Sequence, residues 1–458
     1  MKPQRFHFLF AMHYLRYGFL LCLVPMVQAL IQFDLPALFA ALWQDAFILA
    51  ACFAAAAVVW WFTRFTVEEH DVCTRQGVLV RSHHRYSAKS ISVVEIRRPL
   101  HCRLLGASYL TFYFKTRGTR RKVELCLPRR AAEAAADALL PVENDVRVFA
   151  PAGFEKLAFV MLSANVLTSC LFLWLGAQRL TEWLGSDVRD KAFENFTKLE
   201  SLFETVLPAG LALATAALFV IVSAAFAVSL LHTTGFRVCR TGGVILSRGG
   251  LLTKTERRIL VSAVTSADVR VTPVARLLRR RPVYVTAGSF RGGDMPLMVY
   301  RAGADRAPQA LVPRYEPAEG PMCRCARRSL PQFLWKPGTA LAVSLALCGV
   351  ALWALPGILP VLYVPVLASA GCLAQSAEGY FIEGMARQKG GALCVTYTRF
   401  FTRHEVCVMT PDVTYETFRH PVSVREGRSD FTVRLPCGIK CRARGVMHAA
   451  ADRMPLPG

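Results

Sequence analysis

Charge, and acidic charge above all, is what this sequence has least of. Asp, Glu, Lys and Arg make up 19% of its 458 residues, and only 32 are acidic against 55 basic. An ordinary soluble domain carries about 25% charge. With 53% of residues apolar, the shortage excludes a disordered chain, a collagen helix and a coiled coil, and it points to a membrane. Catalytic motifs are missing too. No GxGxxG follows a strand, and there is no Walker lysine loop, His-Glu-x-x-His or Gly-x-Ser-x-Gly. Neither an enzyme nor a cofactor is expected. The formal net charge of +23 does not by itself call for nucleic acid, because its meaning depends on where the charges sit relative to a bilayer.

Five stretches lack charge altogether: 17–33, 46–63, 157–178, 205–236 and 337–377. A helix needs about 20 apolar residues to cross a ~30 Å hydrocarbon core. The last stretch is long enough for two crossings, turned at Leu355-Pro356-Gly357. Six transmembrane helices in three hairpin pairs are therefore expected. Lys2, Arg5 and Arg16 also fit the basic region of a signal peptide, but no small-x-small site follows, so the first stretch is expected to be retained.

Basic residues gather between these stretches. Lys and Arg number 17 against 10 acids in 64–156, 19 against six in 232–336, and 12 against eight in 378–458. The positive-inside bias puts these segments and both termini on the cytoplasmic side of the membrane. Of the 15 cysteines, none lies in the segments assigned to the outside, which suits a reducing compartment rather than a disulfide framework.

The polar segments repeat. Gly77-Val78-Leu79, Ile91 with Val94 and Ile96, Arg103-Leu104-Leu105-Gly106 and Tyr109 with Phe112 set the pattern. Adding 173 gives Gly250-Leu251-Leu252, Val264 to Val269, Arg276-Leu277-Leu278-Arg279 and Pro282 to Val285. Adding 322 gives Arg399-Phe400-Phe401, Val413 to Phe418, Arg425 and Phe431 to Arg434. A basic residue persists at Arg81, Lys254 and Arg403, and again at Arg103, Arg276 and Arg425. A fixed offset marks a repeated structural unit. Its β-branched and aromatic runs are expected strands, and the Ala-rich segment from Arg129 to Leu140 an expected helix.

This pattern resembles the bacterial pleckstrin-homology-like domain, and three copies behind apolar pairs resemble the YdbS/YdbT-like bacterial membrane proteins. The resemblance is strongest over 64–140 and weakest over 378–454, and Arg279 departs from the expected glycine. The expected fold class is membrane α + β: three hairpins (1–63, 151–231, 331–377), each followed by a PH-like split β-barrel with a C-terminal helix (64–150, 232–330, and a divergent 378–458). The resemblance implies a non-enzymatic scaffold for protein partners or anionic lipid headgroups. It also implies a smaller single-PH-domain membrane relative as partner, and envelope stress or antimicrobial-peptide tolerance as setting.

Candidate sites are few. Arg279, Arg280 and Arg281, with Lys254, Arg257 and Arg258 on an adjoining strand, are expected to meet anionic headgroups, at about 1 kcal/mol per basic residue near the surface. His83 and His84 are strand neighbours on opposite faces, so they do not share a metal. Cys323 and Cys325 sit among arginines, which lower a thiol pKa, but with Cys437 and Cys441 they are expected to be unpaired cytosolic thiols rather than a zinc site. The alternative function is a small-molecule or lipid transporter, with Pro356, Gly357, Pro360 and Pro365 breaking the last helices. Against it, the charge-free stretches offer no ionisable group within the bilayer.

Overall fold

The computed structural model describes residues 4–10, 35–77, 81–115, 122–142, 146–163, 186–205, 209–293, 295–317, 323–354, 359–387, 392–410, 413–419 and 427–447. The first stretch of 17–33, most of 157–178, the turn at Leu355-Pro356-Gly357, and Arg425 lie outside them.

Three copies of one strand pattern follow each other. The first comprises β1 (Gln4–Arg5), helix α1 (Leu35–Phe62), β2 (Arg64–Val67), β3 (Asp71–Gln76), β4 (Ser82–Ser87), β5 (Ile91–Arg98), the short helix α2 (Leu100–Leu104), β6 (Ala107–Phe114), β7 (Lys122–Pro128) and α3 (Arg129–Leu139). The second comprises β8 (Val146–Phe149), α4 (Phe154–Ser163), α5 (Ser186–Glu204), α6 (Ala209–Thr233), β9 (Arg237–Thr241), β10 (Val244–Gly249), β11 (Lys254–Leu260), β12 (Val264–Val271), α7 (Pro273–Leu277), β13 (Arg280–Ala287) and β14 (Met298–Arg301). The third comprises β15 (Cys323–Arg324), α8 (Leu330–Ala354), α9 (Leu359–Ile382), β16 (Gly384–Arg387), β17 (Leu393–Arg399), β18 (Thr402–Val408), β19 (Thr414–Phe418), β20 (Arg428–Arg434) and β21 (Lys440–Met447).

The offset of 173 maps β5 onto β12, α2 onto α7 and β6 onto β13, residue for residue. Local chemistry explains why. Gly77 and Gly250 turn their hairpins with φ of 110° and 97°, where a side chain is strained. In α7, Pro273 opens the first turn and the Thr272 hydroxyl accepts from the Ala275 N–H at 3.1 Å, a capping arrangement that starts a helix after a strand. Helix α3 buries Ala131, Ala132, Ala135, Ala136 and Leu139 against the first core, so small side chains on one face let it lie close to the sheets.

The sheets do not respect the copies. β1-β2-β3-β4 forms one antiparallel sheet and β19-β20-β21 another, but the two between them are seven-stranded: β7-β6-β5-β11-β10-β9-β8 and β14-β13-β12-β18-β17-β16-β15. The second half of each copy thus joins the first half of the next. One core follows suit, running from Val93 of the first copy through Val238, Val269 and Val283 of the second to Cys394 and Cys407 of the third.

The expected class, six transmembrane helices in three hairpin pairs with a PH-like split β-barrel after each, is corrected in its spans. Among the described residues two helices are long and apolar enough to cross a membrane, Thr215–Thr233 and Leu330–Trp353, with Ala46–Phe62 a shorter apolar stretch within α1. Helix α9 starts in the longest charge-free stretch and runs beyond it through Glu378. The split-barrel plan fits: the two sheets of the first copy enclose one core together with α3 and those of the third copy enclose another, while strand pairing also joins neighbouring copies. The expected C-terminal helix is present after the first copy as α3. After β14 of the second, the described residues form a single 3-10 turn, Ala307–Ala310. Four antiparallel sheets hold the described cores, and the strand plan fits a PH-like fold.

The departure of Arg279 has a backbone consequence. It stands where the first copy has Gly106, and both take positive φ, 49° and 73°. A residue with a Cβ is penalised there by about 1–2 kcal/mol. Gly106→Arg should therefore lower stability by about 1 kcal/mol, and Arg279→Gly should raise it by about 0.5–1 kcal/mol, on denaturant unfolding followed by circular dichroism.

Candidate functional site

Two seams join the copies, and their registers coincide. At the first, Val93 faces Ile259, Val94 faces Arg258 and Glu95 faces Arg257. At the second, the repeat-equivalent Ser266 faces Val408, Ala267 faces Cys407 and Asp268 faces Val406. Each seam carries one buried acid at the same repeat position. Glu95, with a fully buried side chain, accepts from Arg257 Nε at 2.6 Å, Arg97 Nη2 at 3.0 Å and the Tyr113 hydroxyl at 3.3 Å. Asp268 accepts from Arg270 Nε at 2.7 Å and faces His404 Nδ1 at 3.1 Å, with the His404 ring stacked on Tyr397.

Burial pushes the Glu95 carboxyl up, and the guanidiniums of Arg257 and Arg97 overcome this and hold it below the usual carboxylate range. Burial likewise pushes Asp268 up, and its hydrogen bond with His404 and the nearby Arg270 charge bring it below that range. Next to the first seam, Arg258 Nη1 donates to Asp137 Oδ1 at 2.6 Å and to the Leu140 carbonyl at 2.9 Å, tying α3 to the second copy.

The six expected headgroup residues are thus divided. Arg257 and Arg258 are buried in the first seam and occupied by carboxylates. Arg280 pairs with Glu155 at 3.0 Å, and Arg281 with Asp305 at 3.2 Å and Glu405 at 3.5 Å. Arg279 and Lys254 are exposed. Of the repeat-matched cations, Arg81 is exposed at the head of β4, Arg403 pairs with Glu405 at 2.9 Å, and Arg276 pairs with Glu378.

Lys254 belongs to a different grouping, one that sequence reasoning missed. A cleft of about 320 Å³ is lined by Arg98, Leu100, Arg103, Leu104, Gly106, Ala107, Arg129 and Lys254, four cations and no carboxylate. Glu133 stands behind it, accepting from Arg98 and Arg129. Arg103 Nη1 donates to the Leu251 carbonyl at 2.8 Å, and the Leu251 N–H donates to the Leu231 carbonyl near the end of α6 at 2.8 Å. The cleft therefore sits at the end of an apolar helix. Leu100, Leu104, Leu251 and Leu252 are all exposed around it, Leu104 at 81%.

The second seam repeats the exposed apolar residues, while its repeat-matched cations Arg276 and Arg403 pair with Glu378 and Glu405. Leu277 is 84% exposed on α7, and Phe400 is 77% exposed in the β17–β18 turn, at the repeat position of Leu251. Phe400 and Phe401 both take positive φ, a strained setting for aromatic residues. Apolar side chains ringed by cations at a helix end suit the boundary between headgroups and acyl chains. The Arg-Leu-Leu run was visible in the sequence as a marker of the repeat. That its second residue points into solvent was not.

A model of the Bacterial PH domain family matches residues 19–142 and 196–306, together more than half of the chain. The chain belongs to the bacterial PH domain family. Both PH matches take in an apolar helix and the strands behind it, and the third copy lies outside them. No curated protein and no solved structure matches the chain.

The remaining candidates form no reactive centre. Among the described residues no group of three or more His, Cys, Asp or Glu is placed to hold a metal. His83 and His84 face Arg75 and Thr74 on β3. The expected lowering of the thiols at Cys323 and Cys325 is reversed: burial pushes Cys323 up and Cys325 up to about 12, the latter donating to the Arg444 carbonyl at 3.0 Å. Burial also raises Cys437 and takes Cys441 up to about 12.

The seam acids set a pH dependence. Their folded pKa values lie below the unfolded ones, so their stabilisation is complete above the ordinary carboxylate range of about 4 and is lost as pH falls through the lower folded values. Thermal unfolding should be flat from about pH 7 to 5 and should drop below about pH 4. Arg257→Ala, which strands Glu95, should cost about 3–5 kcal/mol at neutral pH, and Glu95→Gln in that background should recover part of it.

Proposed function

We propose that this chain is a non-enzymatic, membrane-associated scaffold whose PH-like units meet anionic lipid headgroups and protein partners at the cytoplasmic face of the cell inner membrane. The observation that carries the reading is the cationic cleft around Lys254 and Arg103, rimmed by exposed Leu100, Leu104, Leu251 and Leu252, at the end of α6. An apolar helix that ends in a membrane leaves its last residues at headgroup depth. Loops hydrogen-bonded to those residues share that depth, where leucines insert and cations meet phosphate.

In this reading the units over 64–150, 232–330 and 378–458 act in series, with both termini cytoplasmic. Of the arginine cluster, the exposed Arg279 is read as a further headgroup contact, while Arg257 and Arg258 are buried in the first seam. The likeness to YdbS/YdbT-like proteins adds a smaller single-PH membrane relative as a partner and envelope stress or antimicrobial-peptide tolerance as the setting. Transport is not carried forward, because it required six spans.

The test uses the full chain in nanodiscs of phosphatidylglycerol or of phosphatidylcholine, with hydrogen exchange followed at 100–106 and 250–254. Protection should be higher in the anionic discs and should fall with salt. Lys254→Glu combined with Arg103→Glu should abolish the difference. Equal protection in both lipids would contradict headgroup binding at this cleft.

A further inference from the structure

The two seams leave one strand edge over at each end of the chain. In repeat terms β4, β11 and β18 are the same strand, and so are β5, β12 and β19. Within the chain β11 pairs with β5 and β18 pairs with β12. β4 ends its sheet in the order β1-β2-β3-β4, and β19 ends its sheet in the order β19-β20-β21. Among the described residues nothing pairs with the outer edge of either. The first copy thus presents the edge that β11 and β18 use, and the last copy presents the edge that β5 and β12 use.

We propose that copies of this chain associate head to tail, β19 of one molecule pairing antiparallel with β4 of the next and forming a third seam of the same kind. The internal register dictates the contacts. Val93 facing Ile259 and Ser266 facing Val408 are equivalent pairs, and the next pair in that series is Tyr415 facing Tyr86. Glu416 then faces Arg85, Thr417 faces His84 and Phe418 faces His83.

Two features of the edges favour this occupant. Glu416 and Arg85 are oppositely charged, and their side chains are 46% and 69% exposed, so both are open to a cross-strand ion pair in addition to their intrachain partners Arg434 and Asp71. Neither strand carries the lysine, proline or bulge that keeps an exposed edge from pairing, and Phe418 stands 64% exposed on β19. A contact between two different surfaces of the same chain is heterologous, so it produces rings or open chains of molecules rather than a closed two-fold dimer. The proposal stands apart from lipid binding, since the strands concerned do not line the cationic cleft.

The experiment is mass photometry of the full chain in lipid-free detergent micelles over a concentration series, so that its outcome is independent of headgroup binding. Wild type should pass from one copy to two and more with rising concentration. Glu416→Arg and Arg85→Glu should each weaken association by about tenfold or more, and the double variant, which restores the opposite pair, should recover it. A photoreactive residue in place of Phe418 should link to a peptide containing His83, a readout that does not depend on the charge variants folding. A single copy at every concentration would overturn the proposal. So would association unchanged in both single variants, or crosslinks confined to other proteins.

Discussion

Everything in this molecule depends on backbone pairing between strands of different repeats. β11 completes a sheet begun by β5, and β18 completes one begun by β12. Each pairing takes an edge that an isolated PH-like unit would expose and turns it into sheet interior, which removes a site of aggregation and fixes the angle between successive units. A chain of separate barrels on linkers would leave the units free to reorient. Here they form one continuous array.

The buried acids specify the seams more than they strengthen them. A buried ion pair gains little net free energy over a well-packed apolar pair, because both groups are desolvated. What Glu95 contributes is intolerance of error. If β11 slipped by one residue, the carboxylate would lose Arg257 and stay buried without it, and every side chain of the strand would turn to the wrong face. Asp268 occupies the same place at the second seam, but with Arg270 and His404 in attendance, so the position is kept while its partners have changed. The third copy has Thr417 there, at the edge that no described strand covers.

Parts of this were legible in the sequence and parts were not, for physical reasons. The offset of 173 was, because turn glycines, an Arg-Leu-Leu run and alternating apolar residues are local features, and local backbone demands fix them in place. The shared sheets were not. Strand pairing is nonlocal, and nothing near Arg257 announces a carboxylate 162 positions away. For that reason Arg257 and Arg258 read as surface charge although they are buried against carboxylates. Of the six expected spans, two helices among the described residues are long and apolar enough to cross a membrane, and the stretches at 17–33 and over most of 157–178 lie outside those residues. At Arg279 the sequence departs from glycine but the backbone does not, which is a conflict between levels of the kind that marks a position kept for a side chain's sake.

The same repeat logic connects form to task. Exposed leucines recur at the ends of α2 and α7, and the turns after β10 and β17 add further apolar side chains, so each seam carries an apolar rim, joined at the first by four cations near the end of α6. The central claim remains the continuity of the sheets, and native-state hydrogen exchange of the full chain in increasing denaturant tests it most directly. The account predicts that the amides of β5 and β11 lose protection together, as do those of β12 and β18. Exchange of β11 at low denaturant while β5 stays protected, so that each repeat opens alone, would contradict it.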